Sequence, residues 1–446
     1  MSQGDLCRAL AALLLLLLAA HLVGRLFAKF RQPPVVGEIL GGLLLGPTLL
    51  GQLAPQVEQW LFPRQGPVAT CLELVYQLGM LLLMFLAGLE MRTVFSRRDG
   101  RAVGLIAVVG MAVPFAFGLL LAKVVDLSGQ LGPARNTTAL TLIIACGIAI
   151  TSIPVISRIM MDLGLINTPF ARVILSVAAL EDIVLNVVIS IAVGMVSSAG
   201  PHAFGLAPEL GITSTGASAA YHSVASVAFL GAVALFGLVI RRLAPGGGQS
   251  PVNGLAVRVA AVLAAAALCS YLGVAPMYGA FVVGLMSSVG GRTAPAAADA
   301  LRSVRGFATG FFIPIYFAVV GLRLDLVRAF NPGFTLAFIA VACVVKALSV
   351  YLGARLARRP AADSRHLAVA LNARGGPGIV LATVALDAQI VNSAMFSTLV
   401  LTAVITSLLA GWWLERAIAR GQLTTETTEP TPLAPARQPQ EQGVPT

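Results

Sequence analysis

Long apolar runs recur along the whole chain, and they restrict the folds open to it more than any other feature. Of its 446 residues, 57% are hydrophobic and 11% are charged, whereas soluble domains have about 25% charged residues. The runs are close to the roughly 18 to 20 residues that a helix needs to cross the hydrocarbon core of a bilayer. The sequence therefore predicts an all-α membrane protein and not a soluble enzyme.

We divide the apolar runs into about 13 predicted membrane spans. The first run lacks a basic start and a cleavage site, so we interpret it as a retained span and not as a signal peptide. Residues 1–421 are expected to form one transmembrane domain, and the Pro-, Thr- and Glu-rich tail at 422–446 is expected to be disordered and cytoplasmic. The predicted spans cover residues 6–27, 34–51, 72–90, 102–125, 137–157, 168–198, 221–240, 255–272, 275–290, 306–322, 334–354, 366–387 and 394–415.

The basic residues predict an orientation. With the N-terminus outside, 22 of the 30 lysine and arginine residues fall on the cytoplasmic side and six fall outside. Cytoplasmic loops of membrane proteins are enriched in these residues. The bias therefore predicts a multi-pass protein of the cell membrane with an outside N-terminus and a cytoplasmic C-terminus. It also explains the net charge of +11 without nucleic acid as a partner.

Several other classes of function lack their usual residues. The five cysteines form no C-x-x-C pair, which disfavours a metal cluster or a disulfide framework. The chain has no G-x-x-x-x-G-K-[ST] motif, so ATP hydrolysis is not expected, and no cofactor is predicted. The GGLLLG stretch at residues 41–46 is typical of close helix packing rather than of phosphate binding.

Two of the predicted spans are interrupted by helix breakers near their middle. The fifth span has the stretch TSIP ending at Pro154, and the twelfth has RGGPG, with Gly375, Gly376 and Pro377. They occupy matching positions in the fourth to sixth and the eleventh to thirteenth spans, which begin on opposite sides of the membrane. We therefore predict inverted repeats. Paired interrupted helices in matching halves are typical of the binding site of a transporter.

The sixth span has two adjacent carboxyl groups, Glu181 and Asp182, inside the run VILSVAALEDIVLNVVISIAVGM. Charges at bilayer depth are costly and usually functional. Near the middle of the span, a carboxyl group can hold a proton or a metal cation, but not easily both. We therefore predict Asp182 as a shared site for a proton and a monovalent cation, with Glu181 beside it. The alternative is a carboxyl group that caps a helix or joins a fixed hydrogen-bond network.

Lys346 lies in the middle of the eleventh span, too deep to reach water easily, so it requires a carboxylate partner. Glu181 is the first choice for this ion pair. An alternative, compatible with the pair, is that Lys346 neutralises the carbonyl ends of the half-helices.

Other polar groups flank the two breaks. Thr151 and Ser152 offer hydroxyl oxygens to an alkali cation, although such residues also satisfy the backbone of a kinked helix. Arg374 precedes the second break, and we expect it to fix the structure, in the first instance by pairing with Glu90 at the end of the third span, rather than to touch the ion.

The chain resembles the monovalent cation:proton antiporters, in the branch of the Kef-type potassium systems and the bacterial sodium/proton exchangers. The resemblance covers residues 10–415 and includes the motifs FLAGLE, AITSIPVISRIM, LSVAALEDIV and LNARGGPGIVLATVAL in the expected order. The matching segments are residues 31–51, 85–90, 149–160, 175–184, 279–288, 311–326, Lys346 and 371–386.

The resemblance implies the sodium/proton antiporter fold of thirteen helices, with a dimerisation unit, a mobile core that contains two crossing broken helices, and a homodimer. It implies that Asp182 corresponds to the ion- and proton-binding aspartate, and that Lys346 matches a lysine linked to the preceding acid in electrogenic members. Two departures stand out. Residue 181 is Glu, where relatives commonly have Asp, Asn or Gln, and no Kef-type nucleotide-binding domain follows, so gating by a nucleotide is not expected.

These observations lead to one hypothesis with two alternatives. We expect a secondary antiporter that exchanges H+ for Na+ or K+ by alternating access, with Asp182 as the shared site. A cation channel or potassium efflux pathway would show cation flux without proton counter-movement. A symporter of a small organic acid would place an anion at the half-helix ends, which the two acidic residues disfavour.

Overall fold

The structure is a computed structural model that describes residues 1–30, 32–90, 100–166, 168–197, 205–212, 214–243, 251–288, 295–328 and 330–423. Most of the predicted disordered tail, at 424–446, lies outside the described residues. So do six basic residues that contribute to the predicted orientation, namely Arg31, Arg92, Arg97, Arg98, Arg292 and Arg437.

The described residues are almost entirely helical. A π-helical turn at Ala308–Phe312 joins the fourteenth helix to the fifteenth. The helices are α1 (Gln3–Lys29), α2 (Pro34–Leu45), α3 (Leu50–Leu53), α4 (Pro55–Leu61), α5 (Pro67–Glu90), α6 (Gly100–Val124), α7 (Thr137–Ala149), α8 (Ile153–Asp162), α9 (Pro169–Ser197), α10 (Leu206–Glu209), α11 (Thr215–Leu243), α12 (Pro251–Tyr271), α13 (Pro276–Ser288), α14 (Pro295–Phe307), α15 (Ile313–Leu322), α16 (Pro332–Leu356), α17 (Ala361–Ala370), α18 (Gly375–Asp387) and α19 (Ser393–Ala419).

Within the described ranges, 10 helical stretches are long and apolar enough to cross a membrane, and shorter apolar helices accompany them. Each of the predicted spans overlaps one helix or one interrupted pair, which confirms the all-α membrane architecture. Three helices begin at the start of the predicted span or within two residues before it, each directly after a polar residue that caps it. The side-chain oxygens of Asn136, Asn331 and Asn392 accept backbone N–H groups at the starts of α7, α16 and α19.

The two interrupted spans cross each other at their unwound segments. Residues 150–152 separate α7 from α8, and residues 371–374 separate α17 from α18. The Ser152 N–H donates to the Ala373 carbonyl oxygen at 2.7 Å, and the Thr151 hydroxyl donates to the Leu371 carbonyl oxygen at 2.7 Å. The predicted pair of broken, crossing helices is therefore confirmed.

The helix breakers lie just beyond the unwound segments and not within them. Pro154 is in the first turn of α8, and Gly375, Gly376 and Pro377 form the first turn of α18. Proline fits the start of a helix because the first N–H groups have no partner inside the helix. Gly375 has φ +30°, and a Cβ there would collide with the Val155 side chain. The glycine thus allows the two half-helices to meet closely.

Glycines also bring α2 into backbone contact with two neighbours. A Cβ at Gly41 would lie 2.6 Å from the Ala19 carbonyl oxygen of α1, and a Cβ at Gly42 would collide with the Ala318 carbonyl oxygen of α15. Gly321 of α15 faces the Ile39 carbonyl oxygen in the same way. The prediction that GGLLLG serves close helix packing is confirmed.

Candidate functional site

The two acidic residues of α9 are both buried inside the bundle. Glu181 is 0% exposed and Asp182 is 2% exposed. Consecutive residues of a helix point about 100° apart, so the two carboxyl groups face different neighbours. Their surroundings differ accordingly.

Glu181 forms a fully buried ion pair with Lys346. The Lys346 Nζ atom lies 2.8 Å from Glu181 Oε2, and both side chains are 0% exposed. The same ammonium group donates to the carbonyl oxygens of Gly110 at 3.0 Å and Ala149 at 2.6 Å. The predicted pair of Lys346 with Glu181 is present. The alternative role, in which Lys346 neutralises the carbonyl ends of the half-helices, is also correct in part. Ala149 is the last residue of α7, so Lys346 neutralises the carbonyl end of that half-helix.

Asp182 has a different environment. Its Oδ1 atom is buried and has no hydrogen-bond partner within the described part of the chain. The adjacent Asn186 side chain donates to the Asp182 backbone oxygen at 2.8 Å rather than to the carboxyl group. A buried carboxylate oxygen without a partner is costly. Asp182 therefore has an open acceptor that a proton or a small cation would satisfy.

Thr151 and Ser152 lie at the crossing and are both fully buried. The Thr151 hydroxyl donates to the Leu371 carbonyl oxygen, as described above. Ser152 Oγ accepts the Val155 N–H at 3.4 Å and so caps α8. Both hydroxyl groups therefore serve the interrupted backbone. Each oxygen can also accept further bonds, so contact with a cation stays a proposal.

The predicted pairing of Arg374 with Glu90 is wrong. The Arg374 guanidinium, 1% exposed, donates to the carbonyl oxygens of Gly147 at 3.0 Å, Ile148 at 3.1 Å and Ala342 at 2.9 Å. Its remaining bonds go to the backbone oxygen and side-chain oxygen of Asn372 at 3.1 and 2.7 Å. All five of its N–H donors are thus satisfied by uncharged oxygens. Glu90 is contacted instead by Arg305, at 3.2 Å.

Arg374 and Lys346 together neutralise the C-terminal end of α7. Three of their acceptors, Gly147, Ile148 and Ala149, are the last residues of that half-helix. The expected structural role of Arg374 is therefore supported, with a different partner. Asn372 is a residue that the sequence reasoning missed. The sequence shows Asn372 two residues before Arg374, but it does not indicate that Asn372 accepts hydrogen bonds from the Arg374 guanidinium.

The described residues contain no group of three or more His, Cys, Asp or Glu side chains that could hold a metal ion.

A family model described as "Sodium/hydrogen exchanger, transmembrane" matches residues 13–420. The Na(+)/H(+) antiporter NhaS4 of Synechocystis is 28% identical over 414 residues, which cover 92% of this chain and 97% of the relative. The K(+)/H(+) antiporter 1 of Saccharomyces cerevisiae is 28% identical over 400 residues, covering 88% of this chain and 44% of the relative.

The chain spans about half the length of another relative, the Cation/H(+) antiporter 18 of Arabidopsis thaliana. The two are 28% identical over 409 residues, covering 90% of this chain and 48% of that relative. Among solved structures, the sodium proton antiporter MjNhaP1 of Methanocaldococcus jannaschii has the same fold. Its TM-score is 0.60 at 15% identity, and the alignment covers 93% of this chain and 97% of MjNhaP1.

The extent of the family match and the shared fold confirm the resemblance and the sodium/proton antiporter fold. The family is one of transporters and not of enzymes. The chain is a multi-pass membrane protein that belongs to the sodium/hydrogen exchanger family, among the monovalent cation:proton antiporters.

Proposed function

We propose that this protein is a secondary antiporter that exchanges H+ for Na+ or K+ across a membrane, and that Asp182 is the site that the two ions share. Membership of the exchanger family supports the reaction class. The relatives are named as exchangers of sodium in one case and of potassium in another, so both cations belong in the proposal.

One observation carries the assignment of the site. Within the described structure, each carboxyl group has one buried oxygen without a partner, Asp182 Oδ1 and Glu181 Oε1, but Glu181 is paired with Lys346 through its other oxygen. Lys346 and Arg374 are committed to the end of α7 and to Glu181. A proton or a cation that enters this region therefore meets Asp182 as the available negative charge.

The proposed coupling follows from the cost of a bare charge in a membrane. An ionised Asp182 is expensive to move through low-dielectric surroundings, and either a proton or an alkali cation removes that cost. Each bound form then permits the change between the two access states, and the bare carboxylate does not. Because the two ions compete for one carboxyl group, one is carried in each direction.

Transport by the purified protein in proteoliposomes tests this proposal. Asp182→Asn should abolish cation exchange driven by a pH gradient, because an amide neither ionises nor takes up a proton near neutral pH. Asp126→Asn is the matched control, since Asp126 is exposed in the loop after α6, and it should exchange at the wild-type rate.

Exchange at the wild-type rate in Asp182→Asn would refute the proposed site. Cation flux without proton movement in the native protein would indicate a channel instead. Dissipation of the pH gradient by organic acids, and not by Li+, Na+, K+ or Rb+, would indicate a symporter.

A second test concerns the buried ion pair. If the pair of Glu181 and Lys346 takes up a second proton on one side of the membrane and releases it on the other, transport moves net charge, and its rate should respond to an imposed membrane potential. A rate that is indifferent to the potential would mean that the pair is a fixed scaffold. The outcome separates electrogenic from electroneutral exchange and leaves the role of Asp182 unaffected.

Three further points belong to the same proposal. We infer an outside N-terminus and a cytoplasmic C-terminus in the cell membrane from the distribution of basic residues.

We infer a homodimer from the family alone, to be tested by cross-linking in membranes. Thr151 and Ser152 are proposed to offer oxygen atoms to the cation, which predicts that Thr151→Val alters selectivity among alkali cations.

A further inference from the structure

A line of buried polar side chains extends from Asp182 along α9. Asn186 and Ser190 follow at intervals of four residues, and they are 6% and 0% exposed. Positions four apart form one ridge on a helix. The line ends at Gly194, about 18 Å from Asp182 along the helix axis at 1.5 Å per residue. It therefore reaches from the middle of the span to near its end at Ser197.

A second polar ridge lies on α11, which packs against α9. Ser218, His222 and Ser226 are also spaced by four residues, and they are 5%, 0% and 0% exposed. The two ridges meet where Gly194 faces the His222 ring so closely that a Cβ on the glycine would collide with it. Because consecutive spans run in opposite directions, Ser190 and Ser226 lie one turn from this contact on the same side of it.

Several polar atoms on the two ridges have no hydrogen-bond partner. Within the described ranges, these are the hydroxyl oxygens of Ser190 and Ser226, the Nε2 atom of His222 and the Oδ1 atom of Asp182. Buried polar atoms in native proteins are nearly all satisfied by protein or by ordered water. Four unsatisfied atoms along the two ridges therefore indicate bound water rather than four separate defects.

The His222 ring is held in a defined orientation. Its Nδ1 atom lies 2.7 Å from the Ser218 carbonyl oxygen, so that nitrogen carries a proton, and the neutral ring then leaves Nε2 as an acceptor. Beyond Nε2 is Gly273, between α12 and α13, where a Cβ would lie 2.9 Å from the nitrogen. The ring thus lies against the loop that joins α12 and α13, and a side chain at residue 273 would clash with it.

We propose that the contact between α9 and α11 holds a chain of water molecules through which protons reach Asp182, and that His222 positions the outer end of that chain. Ser190, Ser226 and His222 supply the polar atoms that bind the water. The inference rests on the proposed function, because it assumes that protons bind at Asp182. It adds a route for protons to Asp182, together with three residues that serve this route and do not bind the transported ion.

Cysteine accessibility tests the water directly, without any transport measurement. In a protein whose natural cysteines are replaced, Ser190→Cys should react with a small charged methanethiosulfonate added to both sides of proteoliposomes. The matched control is Ile189→Cys, because Ile189 is adjacent on α9 and 2% exposed but apolar. We expect at least tenfold faster labelling at residue 190. The cysteines to be replaced are Cys7, Cys71, Cys146, Cys269 and Cys343.

Two labelling outcomes would overturn the inference. If neither cysteine reacts, the contact between the helices is dry. If both react at the same rate, the helix is generally open and the polar ridge has no special access. Neither outcome affects the shared site, which is judged by loss of exchange in Asp182→Asn in the same background.

Substitution of His222 separates access from binding. His222→Leu should lower the maximal exchange rate by about tenfold or more and leave the half-saturating cation concentration within about twofold. His222→Gln should restore most of the rate, because its amide can also bind water. His21→Leu is the matched control, since His21 lies on α1 and binds the Gly310 carbonyl oxygen.

A structural role for His222 predicts a different result. In that case both His222→Leu and His222→Gln would lower the melting temperature and the yield, and the rate of the folded fraction would remain at the wild-type value. That result would overturn the role of His222. Should His222→Leu fail to fold, labelling of Ser190→Cys and the rate of His222→Gln still decide the question.

Discussion

Lys346 binds three acceptors inside the bundle, and each acceptor comes from a different helix. Replacement by Met keeps much of the side chain's length but leaves Glu181 and the carbonyl oxygens of Gly110 and Ala149 without their donor. Removal of one partner from a buried pair costs about 3–5 kcal/mol. We therefore expect Lys346→Met to lower the free energy of unfolding by that amount, measured by denaturant titration in detergent.

Lys123→Met is the control, because Lys123 is exposed near the end of α6 and its loss should change stability little. The double variant with Glu181→Gln and Lys346→Met removes both charges and should recover part of the lost stability. Equal stability of Lys346→Met and Lys123→Met would contradict the stabilising role of the pair.

For individual residues, the sequence predicted contacts between two side chains better than contacts between a side chain and the backbone. A single deep lysine requires a carboxylate, and this led to Glu181. Arg374 also requires partners, but its acceptors include carbonyl oxygens of α7 and α16. Any residue type presents such an oxygen, so the sequence has no signal for it, and the prediction of Glu90 was wrong.

Among the helices, α2 and α15 are in close backbone contact. A Cβ at Gly42 would collide with the Ala318 carbonyl oxygen, and backbone atoms cannot move aside as a flexible side chain would. Overpacking of this kind costs about 1–3 kcal/mol. We expect Gly42→Ala to lower the melting temperature of the purified protein, because α2 must shift away from α15.

Gly231→Ala is the matched control. Gly231 lies in the middle of α11, and an added Cβ there meets none of the described residues within 4 Å. Alanine favours a helix over glycine by about 1 kcal/mol, so this variant should be as stable as the native protein or more so. A melting temperature of Gly42→Ala equal to that of Gly231→Ala would contradict the close packing.

The positions of the helices were largely predictable from the sequence, and the positions of the breaks were less so. Apolar runs of membrane length fix where helices lie, and GGLLLG indicated the contact of α2. Pro154 and Pro377 marked the interrupted spans, yet the unwound segments precede them. The reason is that proline favours the first turn of a helix, so it marks the start of the second half and not the break itself.

Across the whole molecule, Arg323 joins helices that are far apart in the sequence. Its guanidinium lies 2.6 Å from Glu73 of α5 and 2.6 Å from Asp387 at the end of α18, and it stacks over the Tyr76 ring. Exposed ion pairs contribute up to about 1 kcal/mol, and a cation–π contact adds about 0.5–1 kcal/mol. We expect Arg323→Gln to lower the free energy of unfolding by about 1–2 kcal/mol.

The melting temperature is measured with and without high salt. Because added salt screens ion pairs, it should narrow the difference in melting temperature between Arg323→Gln and the native protein. Arg64→Gln serves as the control, since Arg64 is exposed and lines the same pocket as Arg323. A loss of stability as large in Arg64→Gln would show that net charge, and not the link between α5 and α18, is responsible.

The crossing of the two interrupted spans has a consequence for local opening. Irregular backbone is ordinarily the first part of a protein to exchange its amide hydrogens with solvent. Here the Ser152 amide donates to the Ala373 carbonyl oxygen at 2.7 Å. The second unwound segment therefore protects this amide of the first. In hydrogen–deuterium exchange, the peptide containing Ser152 should be as protected as the middle of α19. The two interrupted spans would then move together as one rigid unit.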